Sequence, residues 1–129
     1  MGMESELSET LDFSIILPAV GQGSLGIEIR EGDPRAGEAA GYLDHEPSRL
    51  AVSAERAFLK GLGGGCQVPI GAIGEIKDGS LKLKGIVISE DGKDAIKGEL
   101  SGDKFKAEEI GRKLAGELLS RGAKGLLAG

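Results

Sequence analysis

A chain of 129 residues is long enough for one modest domain with some extra segments. Its net charge of −5, from 16 basic and 21 acidic residues, argues against nucleic acid or an anionic membrane surface as a partner. A single cysteine excludes an internal disulfide, no secretory leader opens the chain, and no apolar run is long enough to span a bilayer, so the expected setting is the reducing cytoplasm.

Aromatic residues are scarce, with three Phe, one Tyr and no Trp, so the core has to be aliphatic. Twenty-three glycines imply many turns and close backbone approaches. Residues 1–12 are polar and acidic and read as a frayed end, whether natural or cut from something larger. Residues 13–17 form a short apolar run stopped by Pro18, followed by the turn-rich Gly21-Gln22-Gly23. Residues 25–30 alternate, with Leu25, Ile27 and Ile29 on one face, which predicts a half-buried strand. Asp33 then caps a helix with Pro34 at its first position, running to about Leu43. Gly37 and Gly41 weaken that helix by about 1 kcal/mol each relative to Ala.

A stronger helix starts near Pro47. Leu50, Ala51, Ala54, Ala57, Phe58 and Leu62 recur at spacings of three and four, while Arg49, Ser53, Arg56 and Lys60 mark the opposite face. Glu55, Arg56 and Lys60 read as solvated charge pairs. Gly61 and the run Gly63-Gly64-Gly65 end the helix. Three strands follow at residues 70–77, 80–89 and 94–101, the first two joined by Asp78-Gly79, a strong two-residue hairpin signal. A last helix over residues 106–121 has Ala107, Ile110, Leu114 and Leu118 as its stripe. The expected fold is α+β: a three-stranded antiparallel sheet with helices packed on one face, preceded by a strand-helix segment.

Few residues could carry chemistry. Cys66 follows three glycines and precedes Gln67-Val68-Pro69, a path that can bring a bulky group close to the backbone. It reads either as a thiol presented to a ligand or as a small buried core residue. The preceding helix C-terminus does not favour a thiolate. One His and one Cys are too few for structural zinc, and His45 has no evident orienting partner for a Cys-His pair. Gly21-Gln22-Gly23-Ser24-Leu25-Gly26 matches the letters of a dinucleotide fingerprint but precedes a strand, so the phosphate-binding context is missing. Arg30 is either a solvated arginine or a clamp for carboxylates.

Three blocks together resemble one family. LPAVGQGSLGIEIR at residues 17–30, VSAERAFL at 52–59 and GGCQVPIGA at 64–72 are similar to segments of the porphobilinogen deaminases (hydroxymethylbilane synthases), and the resemblance extends over residues 2–129. It implies a transferase of tetrapyrrole (heme) biosynthesis that condenses four porphobilinogen molecules into hydroxymethylbilane with release of ammonia. It implies a dipyrromethane cofactor held by a thioether to Cys66, pyrrole carboxylates contacted by Arg30, and a substrate-side loop made by Gln22 with the backbone of Gly21 and Gly23. Residues 1–44 would be the return segment of the family's first domain with the end of the preceding region, and 45–129 the cofactor-attachment domain. Nothing here matches the family's essential aspartate, and most of its basic residues would lie in N-terminal domains that serve as partners. The expectation is a C-terminal portion, either a fragment of a longer chain or half of a split enzyme, that is inactive alone. A binding or interaction module with a purely structural Cys66 is the competing reading.

Overall fold

The computed structural model describes residues 7–63 and 69–127. Helix α1 spans Pro34–Gly41 and α2 Glu46–Gly61; strands β1 (Ile70–Lys77), β2 (Ser80–Ile88) and β3 (Ala95–Asp103) follow, then α3 (Ala107–Leu118) and a short α4 (Lys124–Leu127). The strands form an antiparallel meander in the order β1-β2-β3. The architecture is thus the expected α+β one.

Local chemistry sets the boundaries. The Asp33 carboxylate accepts hydrogen bonds from the backbone N–H groups of Arg35 and Ala36, both at 3.0 Å, which satisfies two of the otherwise free donors of α1. At the start of α2 the ring nitrogen Nδ1 of His45 accepts from the N–H of Ser48 at 3.3 Å, so the lone histidine is a cap. Asp78 and Gly79 both have positive φ, 51° and 77°, the signature of the two-residue turn whose twist suits a hairpin; Lys77 and Ser80 pair across it. Asp103 accepts from the N–H of Phe105 at 2.9 Å and turns the chain from β3 into a single 3-10 turn that leads to α3.

Alternation along β2 places Leu81, Leu83 and Val87 toward the helices, all fully buried. Phe58 of α2 and Leu114 and Leu118 of α3 meet them, with Ala54, Ala72, Ile110 and Ala115 filling the gaps. Each large side chain so buried contributes about 1.5–3 kcal/mol. Layer spacing is short because glycines stand where the helices press closest. A Cβ at Gly85 would lie 2.5 Å from the Phe58 ring, and one at Gly111 only 2.3 Å from the Ala54 carbonyl oxygen. Beyond α3, Gly122 adopts φ 101° and kinks the chain into α4.

Two expectations fail. The strand read at residues 25–30 does not form, and Leu25 is 96% exposed. A strand exists only through its ladder, and the three strands here pair with one another while the outer edge of β1 is taken by residues 18–19. Glu55, read as a solvated charge, is 6% exposed and faces the sheet edge.

Candidate functional site

The outer edge of β1 presents N–H groups that β2 does not use. Ala72 donates one to the Pro18 carbonyl at 3.0 Å, and Ala19 bridges antiparallel to Gly71. The next outward donor, Gly74 N–H, goes to Oε1 of Glu55 at 2.8 Å. Glu55 reaches it because Gly74 carries no side chain: a Cβ there would sit 3.0 Å from Ala51 Cα, so α2 rests almost on the strand. Position 55 follows Ala51 by four and so lies on the same face.

The second oxygen of that carboxylate accepts from a different part of the chain. Oε2 of Glu55 receives the N–H of Gly21 at 2.8 Å. Gly21 and Gly23 both have positive φ, 72° and 80°. Gln22 N–H closes onto the Ala19 carbonyl at 3.0 Å and Ser24 N–H onto that of Gly21 at 3.2 Å. These bonds fold residues 19–24 into a tight double turn with Val52 of α2 beneath Gly21. One buried carboxylate therefore clasps this turn to the sheet edge. Two charge-assisted hydrogen bonds offset much of the cost of taking the charge out of water.

Of the site residues read from the sequence, Gln22 and Gly23 lie exposed at the tip of this turn. Arg30 lies elsewhere, exposed in the turn before α1, where its carbonyl accepts the N–H of Asp33 at 3.2 Å. Among the described residues no carboxylate forms an ion pair with its guanidinium. Cys66, with the loop placement expected for it, lies outside the described residues. The anchors on either side are described: the N–H of Gly63 donates to the Lys60 carbonyl at 3.0 Å, and the Pro69 carbonyl accepts from Ile88 at 3.0 Å. Glu55 is the residue the sequence reading missed. Its place between Ala51, Ala54 and Phe58 on the apolar stripe was the available signal.

A groove of about 710 Å³ runs along the sheet face opposite the helices, between residues 13–17 and the side chains of Ile86, Ile88, Lys84 and Lys97. Among the described residues no cluster of three His, Cys, Asp or Glu side chains could hold a metal ion, and no helix is long and apolar enough to cross a membrane.

Comparison with known proteins separates the chain into two matches. Residues 1–38 match the family model described as porphobilinogen deaminase, dipyromethane cofactor binding domain. Residues 49–120 match the one described as porphobilinogen deaminase, C-terminal domain, and Cys66 falls in this second stretch. A porphobilinogen deaminase of Carboxydothermus hydrogenoformans is 50% identical over 127 residues, covering 98% of this chain and 41% of the relative. That of Thermus thermophilus is 45% identical over 129 residues, covering 99% and 43%. That of Pelotomaculum thermopropionicum is 46% identical over 127 residues, covering 98% and 41%. The chain thus spans about two fifths of the length of the curated relatives it matches. Since the C-terminal domain model alone takes in more than half of its residues, and identity near one half extends over almost all of them, the chain belongs to the porphobilinogen deaminase family.

Proposed function

We propose that this chain is the C-terminal portion of an enzyme that condenses four porphobilinogen molecules into hydroxymethylbilane, and that it carries the dipyrromethane on Cys66. The observation that carries this reading is the 50% identity over 98% of the chain to a protein named porphobilinogen deaminase. The donor chemistry fits, because the chain has one thiol and so one place at which a thioether can form. Bound there, a dipyrromethane supplies the pyrrole end to which porphobilinogen units are joined.

The chain's own residues do the holding. Residues 45–129 form the attachment domain, and residues 1–44 are the segment returning from the first domain. Gln22 and the backbone at Gly23, exposed at the tip of the clasped turn, face the substrate side. Arg30 offers a planar fork of donors to acetate and propionate groups. Residues supplying the essential aspartate and most of the cationic cleft come from the part that the relatives carry beyond this chain. By itself the chain does not turn over porphobilinogen. Its setting is the cytoplasm, where porphobilinogen-derived pyrroles and the N-terminal domains are its partners.

Two measurements test this. Intact-mass and peptide mapping of the chain, produced together with the N-terminal portion of the Carboxydothermus relative, should show the dipyrromethane mass on Cys66. Porphobilinogen consumption should require both parts and vanish with Cys66→Ser. Turnover by the 129-residue chain alone would overturn the division of labour. Full turnover by the Cys66→Ser pair would overturn the attachment site.

A further inference from the structure

Glu55 uses its two oxygens on two segments that are far apart in sequence. Oε2 takes the Gly21 N–H and Oε1 the Gly74 N–H, both at 2.8 Å. A carboxylate is a rigid, planar spacer, so these bonds fix the turn at residues 19–24 at a set offset from the edge of β1. The side chain is 6% exposed, and among the described residues no Lys or Arg pairs with it. An apolar residue of the same volume would bury more easily at this place on α2. It could not accept either N–H.

The two segments so joined are also the two that the proposed reaction needs side by side. One bears Gln22 and Gly23. The other is the strand that the chain enters four residues after Cys66. We infer that Glu55 is a positioning residue that sets the place of the Gln22 turn relative to β1. Its consequence for catalysis rests on the reading given above; the geometry it sets does not. The Pro18 carbonyl, bonded to Ala72, fixes the start of the same segment. It leaves the turn beyond Val20 to Glu55.

The substitutions grade the effect. Glu55→Gln keeps one acceptor oxygen and turns an NH2 group toward the other N–H, so it preserves one of the two bonds. Glu55→Met keeps the bulk and preserves neither. The test uses the 129-residue chain in a Cys66→Ser background, with Gln22→Cys and Lys77→Cys carrying nitroxide labels. Pulsed electron resonance gives the distance distribution between the turn and β1, and amide exchange reads the Gly21 N–H. With Glu55 the distribution should be narrow and Gly21 protected. With Met the distribution should broaden and Gly21 exchange should rise about tenfold or more, as for the loss of a charge-assisted hydrogen bond. Gln should fall between the two. A Met variant with a lower unfolding midpoint but an unchanged distribution and unchanged Gly21 exchange would reduce Glu55 to a packing role and overturn the inference. Should Met unfold the chain, the Gln variant decides by the same two readouts. Neither readout involves the cofactor or turnover, so a failure of the proposed function and a failure of the clasp are told apart.

Discussion

Gly111→Ala should destabilise the fold even though alanine is the better helix former. At this position on α3 a Cβ would lie 2.3 Å from the Ala54 carbonyl oxygen, 2.8 Å from Ala57 Cβ and 2.9 Å from the Phe58 nitrogen. The first and last of these are backbone atoms of α2 and cannot rotate away. The two helices must separate by roughly 1 Å before the new carbon reaches ordinary contact, and a gap of that size forfeits a quarter to a half of the dispersion attraction along the seam. Phe58, Leu114 and Ala115 all lose contacts there. Because two of the three clashes are with backbone, the overpacking cost lies at the upper end, about 3 kcal/mol, and the helix preference of alanine returns about 1 kcal/mol. We expect a net loss of about 2 kcal/mol, or a Tm lower by roughly 8 °C at this chain length. Gly116→Ala is the control. It lies on the same helix with nothing within 4 Å of its Cβ position, so only the propensity gain of up to about 1 kcal/mol applies. Thermal unfolding followed by far-ultraviolet circular dichroism measures both, which suits a chain without Trp. A Gly111→Ala variant as stable as the parent would show that α2 and α3 are not in close contact there.

Outside the clasped turn at residues 19–24, amide exchange should be fast across residues 13–43 and slow across 80–101, because Ile15, Ile16, Leu25, Ile27 and Ile29 are exposed while Leu81, Leu83 and Val87 are buried; equal protection in both would contradict this. Asp33→Ala removes the acceptor for Arg35 and Ala36 and should cost α1 about 0.5–2 kcal/mol, read as faster exchange over residues 34–41 with no change in α3. The Lys104 ammonium, bonded to Glu46, holds that carboxyl below its ordinary value of 4.5. A depressed folded-state value means that the stabilisation is complete above the unfolded value and fades as pH falls below about 4.5 through the folded one, so Lys104→Met should flatten the acid limb of Tm against pH. An unchanged acid limb would show that the pair does not persist in solution.

Features governed by neighbours in sequence were legible. The stripes of α2 and α3, the Asp33 cap and the Asp78-Gly79 turn each depend on residues within a few positions, and local rules place them. Features governed by distant partners were not. The alternation of Leu25, Ile27 and Ile29 is a sound strand pattern, yet among the described residues no ladder partner stands beside it, so the strand is missing. Glu55 was read with Arg56 and Lys60 as a solvated charge because its partners, Gly21 and Gly74, stand 34 and 19 positions away. β3 gives a weak signal on its helix-facing side because Gly98 and Gly102 stand where Leu118 and Ile110 fill the space. The family, by contrast, was legible from three short blocks, since motif letters need no folding to be read.

The seat of the Phe58 ring over Gly85 has a consequence for how this sequence can drift. With 2.5 Å between the ring and any added Cβ, a side chain at position 85 is admissible only after the ring has shrunk, and a shrunken ring over glycine leaves a void. Each single step passes through a poorer protein, so the two positions should vary as a pair among descendants, with a small residue at 58 accompanying a larger one at 85.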